Sequence, residues 1–333
     1  MIQTILVPLD GSKEAEHGLA PACRIAGETG ATLRLVRAVE FHAVEEAERV
    51  KESHDLREAR AYLHGVQHRL RKQGFSVEAE ILPGDPVKVI LFAAQAHEVD
   101  VMSIASYEHS GLQHALLGSV AETVLSRSTT PILLTRASAQ PTFSAFQPLR
   151  TILVPLDGTP FAEQALTYLV DQQLGRAASV ILLRTVAPAT LPVMPSMMGE
   201  AVMREFEHAE QETAAHRMEA EAYLRHTGTA FLKDTPWRAQ TALATAADGI
   251  VEVARSEDAE LIVMATHGRH GWDRLLHGSV TGHLLHHSPV PLLILSGSMG
   301  HTAAAPVDHA ATSSEADGEP IARGQRGQAI RAV

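Results

Sequence analysis

The sequence TILVPLDG occurs twice in this chain, first at Thr4–Gly11 and again at Thr151–Gly158. A second repeated segment follows each occurrence of TILVPLDG. It is EARAYL at Glu58–Leu63, which matches EAEAYL at Glu219–Leu224. These segments recur at a spacing far longer than the roughly 20–50 residues of a solenoid repeat. Since the chain has 333 residues, which is enough for two domains of ordinary size, we interpret it as two copies of one domain.

A third pair of segments, LLGSV (residues 116–120) and LHGSV (276–280), comes late in each copy. The second copy is the longer one, and the proline- and methionine-rich stretch at 188–200 is the expected insertion. The end of the chain is rich in Ala, Gly, Ser and charged residues, so we expect it to be disordered. The predicted organisation is a first domain at 1–136, a linker at 137–149, a second domain at 150–296 and a disordered tail at 297–333.

Within each copy, apolar runs of β-forming residues alternate with helical patterns. Residues 2–7, for example, form a continuous apolar run typical of a strand that is buried on both faces. The next segment has apolar residues at helical spacing up to Gly27 or Gly30, and longer helices are expected at 44–73 and 201–225. This alternation predicts an α/β fold, in which each copy forms a five-stranded parallel sheet with helices on both faces.

Composition and charge exclude several classes of protein. Lys and Arg number 28 against 39 Asp and Glu, without a basic stripe, so we expect no binding to nucleic acid. The single cysteine, Cys23, rules out an intramolecular disulfide, and its apolar neighbours indicate a core position. The segment MIQTILVPLD has no positive n-region and no apolar run reaches about 18 residues, so we expect no signal peptide and a cytoplasmic protein without membrane contact.

Candidate ligand-binding residues follow the predicted strands. In open parallel sheets, ligands bind beyond the carboxyl ends of the strands, where the strand order reverses. Asp10 and Asp157 each follow the first strand of their copy, and a carboxylate there can accept hydrogen bonds from a sugar or a base. In the second copy, Gly278 and Ser279 precede the last helix, whose N-terminal amides would suit a phosphate.

Each of these features also has a purely local interpretation. The aspartate can shape the turn while Ser12 or Thr159 caps the next helix, and Gly278 and Ser279 can form an ordinary turn and helix cap. Neither a P-loop nor a strand-linked Gly-x-Gly-x-x-Gly motif is present in the sequence. From the residues alone, both interpretations stay open.

Taken together, the motifs resemble those of the universal stress protein (UspA-like) family. The family fold is a Rossmann-like α/β domain with five parallel strands, in agreement with the alternation described above. Its ATP-binding members carry Gly, two residues, Gly, nine residues, and then Gly-Ser or Gly-Thr. The resemblance spans about residues 1–136 and 150–296, and its main segments are ILVPLDGS (5–12), LIVMATHGR (261–269), GSV (278–280) and PVPLLIL (289–295).

The second copy follows this ATP-binding motif almost completely. Gly268 and Gly278-Ser279 match, and only the first glycine is replaced, by Ala265. The nucleotide-binding residues that the resemblance implies are Pro155, Leu156, Asp157, Thr185, Met264, Ala265, Gly268, Arg269, Gly278, Ser279, Val280 and Thr281.

Two of these residues have roles that the resemblance implies individually. Asp157 corresponds to the family aspartate near the ribose and base. Thr185 corresponds to the position whose backbone contacts adenine. The implied ligand of the second copy is therefore an adenine nucleotide.

The first copy departs further from the motif. Its equivalent positions are Asp10, Ala38, Ala105, Glu108, Gly118 and Ser119. Glu108 replaces the second glycine, and its carboxylate would oppose bound phosphates through like charge and lost backbone access. We therefore expect a degenerate site in the first copy and about one ATP per chain, with Mg²⁺ as an optional companion of the nucleotide.

Histidines are the remaining candidates for a special site. The chain has 19, and His283 and His287 lie four residues apart on the predicted last helix, where they would share a face. Without an HExxH motif or a cysteine partner, two imidazoles seldom form a metal site. We therefore expect solvated histidines and no metal.

The resemblance implies a stress-response regulatory module, and the alternative is a structural or interaction protein of the same family that binds no nucleotide. The sequence shows no paired carboxylates, activated nucleophile or P-loop lysine, so we expect no enzyme, although slow hydrolysis of bound ATP stays open. In the topology that the resemblance implies, the last strands of the two copies, 132–134 and 292–295, would lie at sheet edges. We expect the copies to cover these edges as an intramolecular pseudo-dimer. Dimers of whole chains are also permitted, and protein partners stay unknown.

Overall fold

Two strands of identical sequence, TILVP, begin the two halves of the fold. The computed structural model describes residues 1–39, 54–106, 118–136, 147–187, 200–266 and 280–296. The first half contains β1 (Thr4–Pro8), a short 3-10 helix (Ala15–Gly18), α1 (Leu19–Thr29), β2 (Thr32–Val39), α2 (His54–Lys72), β3 (Val77–Pro83), α3 (Pro86–Ala96), β4 (Val101–Ser106), α4 (Ser119–Arg127) and β5 (Ile132–Arg136). The second half contains β6 (Thr151–Pro155), α5 (Gln164–Gln172), β7 (Ser179–Val186), α6 (Glu200–Phe231), β8 (Trp237–Leu243), α7 (Ala246–Ser256), β9 (Leu261–Thr266), α8 (Val280–His287) and β10 (Leu292–Ser296).

The predicted alternation of strands and helices is confirmed, and most differences lie at the ends of elements. Helix α1 ends before Gly30, not Gly27, because Gly30 adopts the left-handed conformation (φ 75°) that closes a helix. Helix α6 continues past the predicted end at 225 to Phe231. Its last turns pack closely on β8, since a Cβ atom on Gly228 would lie only 2.6 Å from the Trp237 ring.

All ten strands belong to one sheet, in the order β3-β2-β1-β4-β5-β10-β9-β6-β7-β8. Neighbouring strands within each half are parallel, as predicted. The halves meet where β5 and β10 pair antiparallel, with Leu133 opposite Leu293. The two last strands thus cover each other's edges, as the sequence led us to expect.

The apolar runs of the strands are buried on both faces of the sheet. In β1, Ile5 and Val7 face one core cluster and Leu6 faces the other. The same alternation occurs in β6, where Ile152 belongs to the first cluster and Leu153 to the second. Each cluster contains residues of both halves, so the two copies share their cores on both faces of the sheet.

The end of the predicted linker is packed on the first half. Leu149 is buried, and its amide donates a hydrogen bond to Glu28 in α1. Three other predicted features, the rest of the linker (137–146), the insertion (188–199) and the tail (297–333), lie outside the described residues, as does the start of the helix predicted at 44–73. No helix among the described residues is long and apolar enough to cross a membrane.

Candidate functional site

The strand order of the second half reverses between β6 and β9. From β6 the chain builds β7 and β8 on one side, then crosses to build β9 and β10 on the other. Strands β6 and β9 are parallel neighbours, with Leu153 opposite Ile262, so their carboxyl ends open side by side at the same edge. This is where open α/β sheets bind ligands.

The predicted residues at the strand ends come together at this edge. Pro155 ends β6, and the amide of Leu156 donates to the carbonyl of Leu183 in β7 at 2.8 Å, which holds the two strand ends together. Thr185 lies near the end of β7, and Met264 and Ala265 lie near the end of β9.

Four of the predicted phosphate-side residues, Gly268, Arg269, Gly278 and Ser279, lie outside the described residues. Val280 and Thr281, which follow them, form the first turn of α8, and Thr281 is buried.

Asp157 forms a tight turn between β6 and α5. Its Oδ1 accepts hydrogen bonds from the amide (2.9 Å) and the hydroxyl (2.6 Å) of Thr159. The Thr159 hydroxyl oxygen in turn accepts a hydrogen bond from the amide of Ala162 at 3.2 Å. The turn-shaping role of the aspartate is therefore confirmed, and it leaves the Asp157 side chain exposed at the edge of the site.

The first half repeats this turn almost atom for atom. Asp10 Oδ1 accepts from the Ser12 amide at 2.8 Å and from the Ser12 hydroxyl at 2.6 Å. Ala38 and Ala105 lie at the ends of β2 and β4, the positions of Thr185 and Ala265.

The Gly-Ser pair of the first half lies at the start of α4. Gly118 (φ −57°, ψ 143°) is itself the N-cap, and Ser119 is the first helical residue without a capping hydrogen bond from its side chain. The glycine already adopts the extended conformation that an N-cap requires, so the serine falls inside the helix. Glu108 lies outside the described residues.

Three residues that the sequence analysis did not select surround the Asp157 turn. The Tyr223 hydroxyl of α6 donates to Glu163 at 2.9 Å, and the guanidinium of Arg184 lies 5.1 Å from the centre of the Tyr223 ring. Burial and the neighbouring Glu163 carboxylate raise the pKa of Tyr223, so it stays a neutral donor.

Comparison of the two copies could have identified Tyr223 and Arg184 from the sequence. Tyr62 and Tyr223 are the tyrosines of EARAYL and EAEAYL, two of the segments that define the duplication. A second internal match, Arg37 before Ala38 and Arg184 before Thr185, places an arginine at the same point of each copy.

The histidines of α8 stack on each other. The rings of His283 and His287 have centroids 4.1 Å apart, which confirms that they share a helix face, and His283 lies 3.7 Å from Asp248 of α7. Within the described ranges, no group of three or more His, Cys, Asp or Glu residues is arranged to hold a metal ion.

The fold defines a duplicated α/β protein in which the strand order reverses once in each half. The family model described as Universal stress protein family matches residues 1–136 and 148–296. The chain therefore belongs to the universal stress protein family.

The chain is also similar to individual proteins and solved structures. Universal stress protein Rv2005c of Mycobacterium tuberculosis is 25% identical over 222 residues, which cover 66% of this chain and 68% of that protein. The crystal structure of a universal stress protein from Archaeoglobus fulgidus DSM 4304 has a similar fold, with a TM-score of 0.61 and 18% identity over 88% of this chain and 98% of that chain. A universal stress protein solved in complex with cAMP matches 41% of this chain and 99% of its own length, at 25% identity and a TM-score of 0.36.

Proposed function

We propose that this chain is a nucleotide-binding regulatory module that holds ATP at the edge of β6, β7 and β9 in its second half. The observation that carries the proposal is the side-by-side ending of β6 and β9, which brings Asp157, Thr185 and Ala265 to one edge of the sheet. Crevices at this point of an α/β sheet accommodate nucleotides because strand ends and helix N-termini supply backbone donors and acceptors.

The proposed site has a nucleoside side and a phosphate side. On the nucleoside side, the exposed Asp157 carboxylate accepts a hydrogen bond from a ribose hydroxyl, and the backbone at Thr185 contacts the base. On the phosphate side, Gly268, Gly278 and Ser279 precede α8, whose N-terminal amides favour an anion. Mg²⁺ would accompany the phosphates where the nucleotide carries it.

We infer one nucleotide per chain because the two halves differ on the phosphate side. The second half has Gly268 and Arg269 where the first has Glu108 and His109. A carboxylate beside a phosphate is repulsive, and a side chain in place of glycine blocks access to the backbone.

We infer that binding serves regulation through shape or partner affinity and not catalysis, because the sequence offers the phosphates no dedicated base. We also infer a cytoplasmic location, since the single cysteine cannot form the intramolecular disulfides common in secreted proteins.

Isothermal titration with ATP tests the proposal on the wild type and two matched variants. We expect a stoichiometry near one per chain, lost in Gly278→Val because the new side chain enters the phosphate position. Gly118→Val, the matched change in the first half, should leave binding unchanged. Losing a few charge-assisted hydrogen bonds, at about 1.5–3 kcal/mol each, makes a micromolar site undetectable.

Other results would reject parts of this assignment. Two equivalent sites, or a site lost only in Gly118→Val, would overturn the choice of the second half. Wild-type protein that binds no ATP, and that carries no nucleotide detectable by ultraviolet absorbance after denaturation, would favour the structural or interaction alternative.

A further inference from the structure

An arginine is clamped beside the Asp157 turn. A Cβ atom on Gly158 would lie 3.2 Å from each of Cζ, Nη1 and Nη2 of Arg184, so the guanidinium plane lies flat against this glycine. The same Cζ atom lies over the ring of Tyr223, 5.1 Å from the ring centre. Tyr223 is held in turn by its hydrogen bond to Glu163. The guanidinium thus lies flat on a glycine and over an aromatic ring, an arrangement that favours a fixed cation.

This arrangement of Gly158, Arg184 and Tyr223, the arginine clamp, also occurs in the first half. A Cβ atom on Gly11 would lie 3.1 Å from Nη1 of Arg37, and the Arg37 Cζ lies 5.5 Å from the centre of the Tyr62 ring. Tyr62 donates a hydrogen bond to Glu16 at 3.1 Å, as Tyr223 does to Glu163. The clamp is therefore a built feature of both copies and not an accident of one side-chain conformation.

Stacking uses the faces of a guanidinium and leaves its N–H edges for other partners. Across the residues that the structure describes, the guanidinium groups of Arg184 and Arg37 have no hydrogen bond and no ion pair. Both side chains are partly exposed at the carboxyl edge of the sheet. A pre-oriented guanidinium fork with unengaged donors matches a phosphate group, which it binds through two parallel hydrogen bonds.

The position of the clamp indicates which part of a ligand it would meet. Arg184 of β7 lies against the turn that presents Asp157, and β6 separates β7 from β9 in the sheet. In α/β nucleotide sites, an arginine near the ribose accommodates a phosphate on a ribose hydroxyl.

We propose that Arg184 is a specificity-determining residue, which selects adenine nucleotides that carry a phosphate on the 2′ or 3′ oxygen of the ribose. This inference rests on the proposed nucleotide site in the second half. It adds a second anion-binding point, separate from the one at the start of α8. Arg37 has the same geometry but lies in the half that we expect not to bind phosphates, so it provides the matched control.

The test compares the affinities of AMP, adenosine 2′,5′-bisphosphate and adenosine 3′,5′-bisphosphate by isothermal titration, with ATP as the reference ligand. For the wild type, at least one bisphosphate should bind about tenfold or more tightly than AMP, as expected for one or two charge-assisted hydrogen bonds. Arg184→Gln should abolish this advantage while changing AMP affinity little. Arg37→Gln should retain it.

A purely structural role for Arg184 gives a different pattern. In that case Arg184→Gln would weaken all three adenosine ligands equally, and the inference would be rejected. If Arg184→Gln does not fold, as judged by thermal unfolding without ligand, Arg184→Lys replaces it. Lysine keeps the charge but lacks the planar fork, so most of the bisphosphate advantage should still be lost.

The remaining outcomes separate this inference from the proposed function. ATP binding without any preference among the three adenosine ligands would overturn the role of Arg184 and leave the nucleotide site intact. Loss of the preference in Arg37→Gln alone would also overturn it, because the selecting residue would then be in the first half. Absence of binding to ATP and to all three ligands would overturn both.

Discussion

Arg24 of α1 and Glu260, just before β9, form an ion pair of 2.6 Å although they lie 236 residues apart in the sequence. Their side chains are 1% and 8% exposed. The Arg24 guanidinium also donates to the carbonyls of Gln147 and Pro148 at 2.8 and 2.9 Å, so it joins the first half, the linker and the second half. The pair lies at the amino end of β9, opposite the edge that carries the candidate site.

Arg24→Met should lower the free energy of unfolding by about 3–5 kcal/mol, because it removes one partner of a buried ion pair. Arg150 provides the matched control, since it contacts the same carboxylate at 3.2 Å but its side chain is 75% exposed. Arg150→Met should cost less than about 1 kcal/mol. Urea unfolding of both variants measures the difference, and equal losses would show that burial does not strengthen the Arg24 contact.

The stability of the protein should fall in acid, and protonation of Glu260 should account for part of this loss. Burial raises the pKa of this carboxyl, but the Arg150 amide and the Arg24 and Arg150 guanidinium groups outweigh it, so the net pKa is lowered. A lowered pKa contributes stability above the unfolded value of about 4.3, and this contribution is lost as the pH falls through the folded value. Glu260→Gln should therefore flatten the pH dependence of the unfolding free energy below about pH 4.3.

Glu28 should affect the pH dependence of stability in the direction opposite to Glu260. Burial raises its pKa despite hydrogen bonds from the amides of Leu149 and Gly175. Its contribution is present below the unfolded value and lost as the pH rises through the folded value. In Glu28→Gln, stability should rise more steeply with pH just above about 4.3 than in the wild type. If the two variants change the slope in the same direction, one of the two assignments is wrong.

Gly158→Ala should destabilise the protein by about 1–3 kcal/mol, because φ at this position is +91° and a methyl group would press on the Arg184 guanidinium. Gly65, inside α2, serves as the control, because a Cβ atom added there would meet no other atom within 4 Å. Gly65→Ala should stabilise by about 0.5–1 kcal/mol through helix propensity. Thermal unfolding of the two variants should show shifts of opposite sign.

Leu293→Ala should destabilise by about 2–5 kcal/mol, since Leu293 is fully buried where β10 pairs with β5. Leu243 is also a strand leucine but is 52% exposed at the end of the edge strand β8. Leu243→Ala should change stability by less than about 0.5 kcal/mol. If urea unfolding shows that Leu293→Ala costs as little stability as Leu243→Ala, the junction between the halves adds little to stability.

Cys23 should be unreactive in the folded protein. It is buried in α1, and burial raises the pKa of its thiol to about 12. The reactive species is the thiolate, which is therefore scarce at pH 8. A chromogenic disulfide reagent should report almost no thiol in the native protein and one per chain after denaturation. Rapid reaction of the native protein would contradict the core position.

Much of the fold followed from local patterns in the sequence. The repeated TILVPLDG segments identified the duplication. Their continuous apolar runs predicted strands buried on both faces, because successive side chains of a strand point to opposite faces of the sheet. The Asp-Gly-Ser and Asp-Gly-Thr turns were also predictable, since Asp10 and Asp157 bond to residues only two positions away. The predicted end of α6 at residue 225 was wrong. The last turns of this helix depend on packing of Gly228 against Trp237 of β8, which no local pattern specifies.

By itself, the sequence determined that two α/β copies are present and that the first strand of each copy is followed by an aspartate turn. Only the tertiary structure decided which charged groups meet. Arg24 and Arg184 both look like isolated cations in the sequence, yet one is buried against Glu260 and the other is stacked on Tyr223. The physical reason is that hydrophobic periodicity depends on neighbours along the chain, whereas the partner of a charge depends on strand order and on the antiparallel junction of β5 with β10.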